Sequence, residues 1–238
     1  MQQHFENYDL ITSTANISAP THGGRAKCLQ RLVRLDLPVP KTVALSFDAI
    51  KGIVSGKMPD LIDILSNFDA KDTLCVRPSS ESIDWGGPGA VLNIGMNKER
   101  RLHLSKYIGE KAASELYFRF IQAYSVSVAR LDPDVFDHIT GANGNSVNAA
   151  LAAYKDEMDE NFPQSIEHQL SEILRSMARA WEGTSARLLR EAKGAPANAG
   201  LGLVIQKMAF GVGEGESGSG VLQLVNSDTG QPQITGRY

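Results

Sequence analysis

The sequence predicts an α+β fold, because helical and strand patterns are segregated along the chain instead of alternating throughout. Short apolar strand patterns alternate with amphipathic helices over residues 1–98, helical periodicity dominates residues 99–193, and strand patterns return over residues 194–238. A doubly wound sheet would require regular alternation of strands and helices along the whole chain. We therefore expect an N-terminal α/β lobe, a helical insertion subdomain, and a β-rich region with a hinge and a glycine-rich flap.

The first lobe begins with a helix over residues 23–35, where apolar residues recur at helical spacing. Two prolines just beyond it end this helix, because proline cannot continue a helix and pushes its neighbour into an extended conformation. A short strand is predicted at 42–45. Ser46 is a suitable N-cap for the helix that follows, and a further short helix is predicted over residues 59–67.

Two strand patterns flank a loop rich in serine, glycine and proline at residues 78–89. The first strand is predicted to end at Arg77. The remaining predicted elements are a second strand at 91–96, a strongly amphipathic helix at 166–181, and strands at 201–210, 221–226 and 231–235.

Composition argues against nucleic acid and membranes as partners. The net charge is −3, charged residues make up 21%, and basic residues are scattered along the chain. No apolar run approaches the ~18 residues of a membrane span, and the N-terminus lacks a signal-peptide profile, so we expect a cytoplasmic protein. Cys28 and Cys75 are expected to be buried free thiols, and no histidine or cysteine spacing predicts a metal site.

Gly23 and Gly24 precede a predicted helix and allow two interpretations. Backbone N–H groups at a helix N-terminus bind phosphate, and Arg25 or Lys27 could reach the same anion. Alternatively, the glycines only permit a tight turn into the helix, since the pattern is neither a Walker loop nor a dinucleotide fingerprint.

Arg77 also allows two interpretations. As the residue that follows the apolar strand Leu74-Cys75-Val76, it could simply be the first solvated position. In the functional interpretation, its planar guanidinium points into a cleft and holds β- and γ-phosphate oxygens, with Ser79, Ser80 and Ser82 as further donors.

The glycine- and serine-rich segment 211–220 is either a flexible hairpin tip or a flap that closes over phosphates. Glu214 and Glu216 oppose the second interpretation, because carboxylates repel phosphate unless they point away or a magnesium ion intervenes.

Taken in order, these segments resemble the N-terminal nucleotide-binding region of the pyruvate phosphate dikinase family, which includes phosphoenolpyruvate synthase and the rifampicin phosphotransferases. Residues 23–40 are similar to the family's Gly-Gly-Lys-Gly-Ala-Asn-Leu helix followed by Gly-Leu-Pro-Val-Pro. Residues 76–80 and 91–95 are similar to its Val-Arg-Ser-Gly-Ala and Val-Leu-Asn-Leu-Gly strands, and residues 118–124 to its Tyr-Arg-Arg-Phe-Ile-Gln-Met-Tyr helix. Residues 205–211 and 216–221 are similar to its Val-Gln-Ser-Met-Val-Phe-Gly strand and to the glycine-rich Asp-Ser-Gly-Thr-Gly-Val that follows.

The resemblance implies an ATP-grasp-like nucleotide-binding fold with a helical insertion, and ATP held between two lobes. It implies a kinase-type phosphotransferase that uses ATP to phosphorylate a histidine on a separate domain, on the same or another chain. The resemblance implies that Arg25 and Arg77 contact the phosphates and that Arg77 is the catalytic residue. The residues implied to contact the adenine are Gln206, Lys207, Met208 and Ala209. The implied flap over the phosphates is 215–220, with Ser217, Gly218, Ser219 and Gly220 as its binding residues.

The chain also departs from the family pattern. Arg25 stands in place of the family lysine, Ala90 in place of a threonine, Val225 in place of an arginine, and Arg237 in place of an acidic residue that helps to hold Mg²⁺. The next family strand, with its Gln and Gly-Glu-Asp, would follow Tyr238, so the resemblance implies a second lobe truncated at the C-terminus. Two hypotheses remain: an ATP-binding phosphotransferase domain, and a degenerate, non-catalytic module for regulation or partner binding.

Overall fold

A five-stranded antiparallel sheet forms the centre of the protein. The computed structural model describes residues 8–141, 143–212, 216–226 and 228–238. The strands are β1 (Tyr8–Leu10), β2 (Thr42–Leu45), β3 (Leu74–Ser80), β4 (Val91–Ile94) and β5 (Leu201–Lys207), in the spatial order β1-β2-β5-β3-β4. Each neighbouring pair is antiparallel. The predicted α+β class is confirmed at this level: a mixed structure with an antiparallel sheet.

Eight α-helices within the described residues surround this sheet. They are α1 (Ala19–Arg34), α2 (Phe47–Val54), α3 (Leu61–Ser66), α4 (Lys98–Ile108), α5 (Glu110–Tyr124), α6 (Gly144–Met158), α7 (Ile166–Glu182) and α8 (Thr184–Ala192). Helix α1 packs on one face of the sheet, while α2, α5 and α7 contact the other face. The long helical stretch predicted from the sequence is confirmed.

The sheet separates two hydrophobic cores of unequal size. The smaller core lies under α1 and contains Ile11, Ile17, Ala26, Ala44 and Val204. The larger core lies on the opposite face and joins the sheet to α2, α3, α5, α6 and α7. At its helical end, the Phe162 ring lies 5.1–6.3 Å from four other aromatic rings, those of Tyr117, Phe120, Tyr124 and Tyr154. Such pairs contribute about 0.5–1.5 kcal/mol each beyond the area that they bury.

Local capping explains where the early elements begin. The Ser46 side chain accepts a hydrogen bond from the Ala49 N–H at 3.1 Å, which confirms the predicted N-cap of α2. The next helix begins at Leu61 and not at Pro59, because the Asp60 carboxylate accepts from the N–H groups of Ile62 and Asp63 and sets the first turn there.

Further predictions from local pattern are also wrong. Strand β3 does not end at Arg77 but continues to Ser80, because its last residues pair with Leu201, Gly202 and Leu203 of β5. Cys28 is exposed, whereas Cys75 is a buried free thiol as expected. The helical face that carries Cys28 borders an opening beside α1 instead of the core.

A separate hairpin follows β5. Its strands, β6 (Val221–Val225) and β7 (Pro232–Arg237), pair with each other in a two-stranded sheet, and every residue of both strands is exposed. Among the helices of the described residues, none combines the length and apolar character that crossing a membrane requires.

Helix α1 is kinked at Gly23, where φ is +86° and ψ is 167°. A Cβ atom built at this position would lie 1.7 Å from the carbonyl oxygen of Ser79 on β3. Glycine is therefore required here both by the backbone conformation and by the close approach of α1 to β3.

We expect Gly23→Ala to destabilise the protein by more than about 3 kcal/mol, because a positive φ and an overpacked contact each oppose the added methyl group. Gly56→Ala is the matched control, since Gly56 has a φ of +88° but no atom within 4 Å of a built Cβ. Gly56→Ala should lower the free energy of unfolding, measured by urea denaturation, by only about 1–2 kcal/mol. Equal losses in the two variants would contradict the contact with Ser79.

A buried histidine connects α1 to the edge strand β1. The Nε2 atom of His22 lies 2.9 Å from a carboxylate oxygen of Asp9, and its Nδ1 lies 2.9 Å from the hydroxyl oxygen of Thr21. Burial lowers the pKa of His22, and this outweighs the opposite effect of Asp9.

A lowered pKa in the folded state means that the unfolded chain takes up this proton first. The contribution of His22 to the free energy of unfolding is therefore fully present above the unfolded pKa of about 6.5 and is lost as the pH falls below it. Urea unfolding at several pH values should show that the free energy of unfolding depends less on pH in His22→Gln than in the wild type. An identical pH dependence in wild type and His22→Gln would rule out this contribution.

Candidate functional site

A cavity of about 590 Å³ opens between α1, the end of β3 and the loop that follows β3. This volume lies within the range of ~300–1,000 Å³ that small-molecule sites occupy. The lining residues are Gly24, Arg25, Cys28 and Leu29 from α1, Arg77 to Ser80 from β3, and Glu81, Ile83, Gly86, Gly87 and Pro88 beyond it.

Strand alternation directs Arg77 into this cavity. Leu74 and Val76 belong to the large core on one face of the sheet. Since successive side chains of a strand point to opposite faces, Cys75, Arg77 and Ser79 face α1. The sequence prediction that Arg77 faces a cleft agrees with this geometry, although Arg77 occupies the middle of β3 and not its end.

Arg25 meets Arg77 in the cavity from the α1 side. The Nε of Arg25 donates a hydrogen bond of 2.8 Å to the carbonyl oxygen of Pro78, which fixes the guanidinium against β3. Burial, and then the nearby charge of Arg77, lower the pKa of Arg25. Among the described residues, no hydrogen bond or ion pair involves the Arg77 side chain, so the cavity holds two positive charges without a counter-charge in contact with Arg77.

The glycine pair holds α1 close to β3. The Ser79 hydroxyl accepts from the Ala26 N–H at 3.0 Å and donates to the His22 carbonyl oxygen at 2.7 Å. A Cβ at Gly24 would lie 2.9 Å from the carbonyl oxygen of Glu81. The Ala26 N–H near the kink therefore already has an acceptor within the protein. The close approach of α1 to β3 is sufficient to explain why both Gly23 and Gly24 are glycines.

The predicted adenine residues lie outside the cavity lining. Gln206 faces the same side of the sheet as Arg77, but it is buried and its Nε2 donates to the Thr42 hydroxyl at 2.8 Å. Lys207 forms an ion pair with Asp72 at 2.7 Å, and this hydrogen bond raises the pKa of Lys207. The Met208 N–H donates to the Thr73 carbonyl oxygen at 2.8 Å, and Ala209 is exposed.

The predicted flap residues also lie apart from Arg25 and Arg77. Gly218, Ser219 and Gly220 line a separate cavity of about 500 Å³ with the strands of the hairpin. A Cβ at Gly211 would lie 2.5 Å from the Gly218 carbonyl oxygen, so the two ends of the glycine-rich segment meet. Ser217 is exposed and does not line either cavity. Residues 213–215, which include Glu214 and the first flap residue, lie outside the described residues.

Sequence reasoning missed Cys28 and the loop residues Ile83 and Gly86 to Pro88 as lining groups. Cys28 could have been found, because it lies three residues after Arg25 and such residues share one face of a helix. The loop residues belong to the serine-, glycine- and proline-rich segment 78–89, but this composition does not show that the fold brings them to the cavity beside β3.

The groups in this cavity suit an anion. Two guanidinium groups provide planar, fixed donors for phosphate or carboxylate oxygens. A divalent cation such as Mg²⁺ prefers several oxygen ligands, and the lining residues contribute one carboxylate, that of Glu81. The residues present therefore fit a phosphate group but do not form a Mg²⁺ site.

Comparison with known proteins gives two results. No protein-family model matches the chain. Curated pyruvate, phosphate dikinases do match it: the Clostridium symbiosum protein is 26% identical over 253 residues, covering 91% of this chain and 29% of that protein. The Rhizobium meliloti protein is 28% identical over 252 residues (91% and 28%), and a chloroplastic Zea mays protein is 23% identical over 251 residues (91% and 26%).

The chain thus spans less than a third of the length of the curated relatives that it matches. Together with the antiparallel α+β fold, the matches confirm the resemblance: over 91% of its length this chain is similar in sequence to part of the pyruvate, phosphate dikinases.

Proposed function

We propose that this chain is the ATP-binding domain of a pyruvate phosphate dikinase-like phosphotransferase, with an ATP-grasp-like arrangement. One observation carries the proposal: Arg25 and Arg77, far apart in sequence, meet in a single cavity in which Arg77 has no partner among the described residues. Phosphoryl transfer depends on positioning and on neutralising phosphate charge, and paired guanidinium groups supply both.

The two arginines would play different roles. Arg25 is fixed by its hydrogen bond to the Pro78 carbonyl oxygen, and its remaining N–H groups would donate to the oxygens of one phosphate. Arg77 can orient its whole fork toward the β- and γ-phosphates. Binding of the anion would also relieve the repulsion between the two guanidinium groups.

The adenine would lie near Gln206 to Ala209, on the sheet face that also carries Arg77. The Gln206 amide already donates a hydrogen bond to Thr42, and the Met208 N–H donates to Thr73. To recognise the adenine, Gln206 would therefore have to exchange its hydrogen-bond partner, or the backbone carbonyl groups would have to accept from the base. The backbone of Ser217 to Gly220 would reach the phosphates only if the hairpin closes over the cavity.

Mg²⁺ would enter with the nucleotide, where it would neutralise phosphate charge. The acceptor in the proposal is a histidine on a separate domain, on the same or another chain. The length of the curated relatives supports this, since most of each relative lies outside the matched part.

A degenerate, non-catalytic module for regulation or partner binding is the alternative. The observation that favours it is that donors at the site already form hydrogen bonds within the protein. The Ala26 N–H donates to the Ser79 hydroxyl oxygen, and the Arg25 Nε donates to the Pro78 carbonyl oxygen. Such a protein would keep the fold for regulation or partner binding without transferring a phosphoryl group.

Mg-ATP should raise the melting temperature of the chain. Ligand at about 100 times its Kd stabilises the folded state by about 2.7 kcal/mol, and each kcal/mol raises the Tm of a domain of this size by about 2–4 °C. Arg77→Ala should abolish the shift. Arg179→Ala, at an exposed position of α7 outside the cavity, should retain it.

Absence of a shift in the wild type at millimolar Mg-ATP, or an undiminished shift in Arg77→Ala, would contradict the proposed nucleotide site. A shift without phosphohistidine formation on an added histidine domain of a pyruvate, phosphate dikinase would favour the non-catalytic alternative.

A further inference from the structure

A further cavity, of about 380 Å³, lies on the face of the sheet opposite α1. It opens between α2, the ends of α7 and α8, and the segment that leads into β5. Its lining residues are Phe47, Ile50, Lys51, Val54, Trp181, Glu182, Arg187, Arg190 and Ala197 to Leu201. None of these residues lines the cavity of Arg25 and Arg77.

Arg190 is the unusual member of this lining, because it is a buried cation. The residue is only 6% exposed. Its guanidinium carbon lies 3.6 Å from the centroid of the Trp181 ring, and its Nη1 donates to the Trp181 carbonyl oxygen at 2.6 Å. Burial lowers the pKa of Arg190. Arginine is rarely so buried without an acidic partner.

Contacts within the protein satisfy only part of this side chain. The bond to Trp181 caps the C-terminal end of α7, and the ring stabilises the cation through its π face. Among the described residues, no acceptor for Nε or Nη2 and no carboxylate within ion-pair distance of Arg190 is found, and Glu182 lines the cavity without forming an ion pair with it. The carboxylates of Glu182 and Glu191 are near enough to raise the pKa of Arg190 against the effect of burial, but neither is bonded to it. The remaining donors of Arg190 therefore lie at the cavity without a bonded counter-ion.

The rest of the cavity combines positive charge with an apolar floor. Exposed Lys51 and Arg187 stand at its rim, and Lys51 forms a surface ion pair with Asp48 at 3.1 Å. Phe47, Ile50 and Leu201 contribute apolar surface. This arrangement fits a molecule with one anionic end and an apolar body.

We propose that this cavity binds a small organic carboxylate whose apolar body lies against Phe47 and Ile50 and whose carboxylate accepts hydrogen bonds from Arg190. The planar fork of arginine matches the two oxygens of a carboxylate. The two cavities share no lining residue, although a Cβ built at Gly87 of the first would lie 3.6 Å from the Trp181 ring of the second.

Tryptophan fluorescence tests this proposal directly. The chain has two tryptophans, so the Trp85→Phe chain reports on Trp181 alone. Phenylacetate is the probe, and phenylacetamide is the neutral control of the same shape. Phenylacetate should change the emission saturably, and phenylacetamide should not, because it lacks the charge that Arg190 would bind.

Variants in the same background locate the binding. Arg190→Lys keeps the charge but loses the fork, and it should weaken phenylacetate binding by at least about tenfold. Arg187→Gln, at an exposed position of the rim, should weaken it by about twofold to fivefold, and Arg179→Gln outside the cavity should not change it. The exposed Arg187 variant keeps the test decisive if Arg190→Lys fails to fold.

A flat phenylacetate titration would overturn the proposal and leave Arg190 as a cap of α7 alone. An equal response to phenylacetamide, or unchanged affinity in both Arg190→Lys and Arg187→Gln, would overturn it as well.

Discussion

The pairing of β5 between β2 and β3 is the interaction on which the rest of the structure depends. Six of the seven residues of β5 are buried, and the apolar ones at 201, 203, 204 and 205 are at most 2% exposed. Through this pairing, one strand late in the chain joins two early segments and separates the two cores. Because these contacts span most of the chain, loop-closure entropy opposes them until much of the protein is ordered.

The register of β5 also sets the site. Val204 lies opposite Arg77, and Gln206 lies opposite Cys75. A slip by one residue would move every side chain of the strand to the other face. The correct register therefore determines that Val204 completes the small core under α1 and that Arg77 shares the α1 face with it.

Both cavities depend on the same physical arrangement, an arginine held by a backbone carbonyl while part of its donor set remains unused. Pro78 holds Arg25, and Trp181 holds Arg190. Burying an unpaired cation is costly, so an anion that bound beside either arginine would recover part of that free energy. The two cavities differ in what surrounds the charge: a second guanidinium beside Arg25, and an aromatic ring with an apolar floor beside Arg190.

The sequence by itself determined the elements that depend on neighbouring residues. Periodicity predicted the helices, and the Ser46 side chain caps α2. The prolines predicted that α1 ends nearby, and it stops at Arg34, where Asp36 has a positive φ of 57°. Each of these effects acts within a few residues. The resemblance of dispersed motifs predicted that Arg25 and Arg77 lie at the same phosphates, and both residues line one cavity. Only the tertiary structure decided the length of β3, the exposure of Cys28 and the burial of Arg190, because the partners of these residues come from distant segments. A strand continues where a neighbouring strand pairs with it, and a side chain is buried where another element covers it. Neither condition depends only on the residues nearby in the sequence, so the local pattern does not predict it.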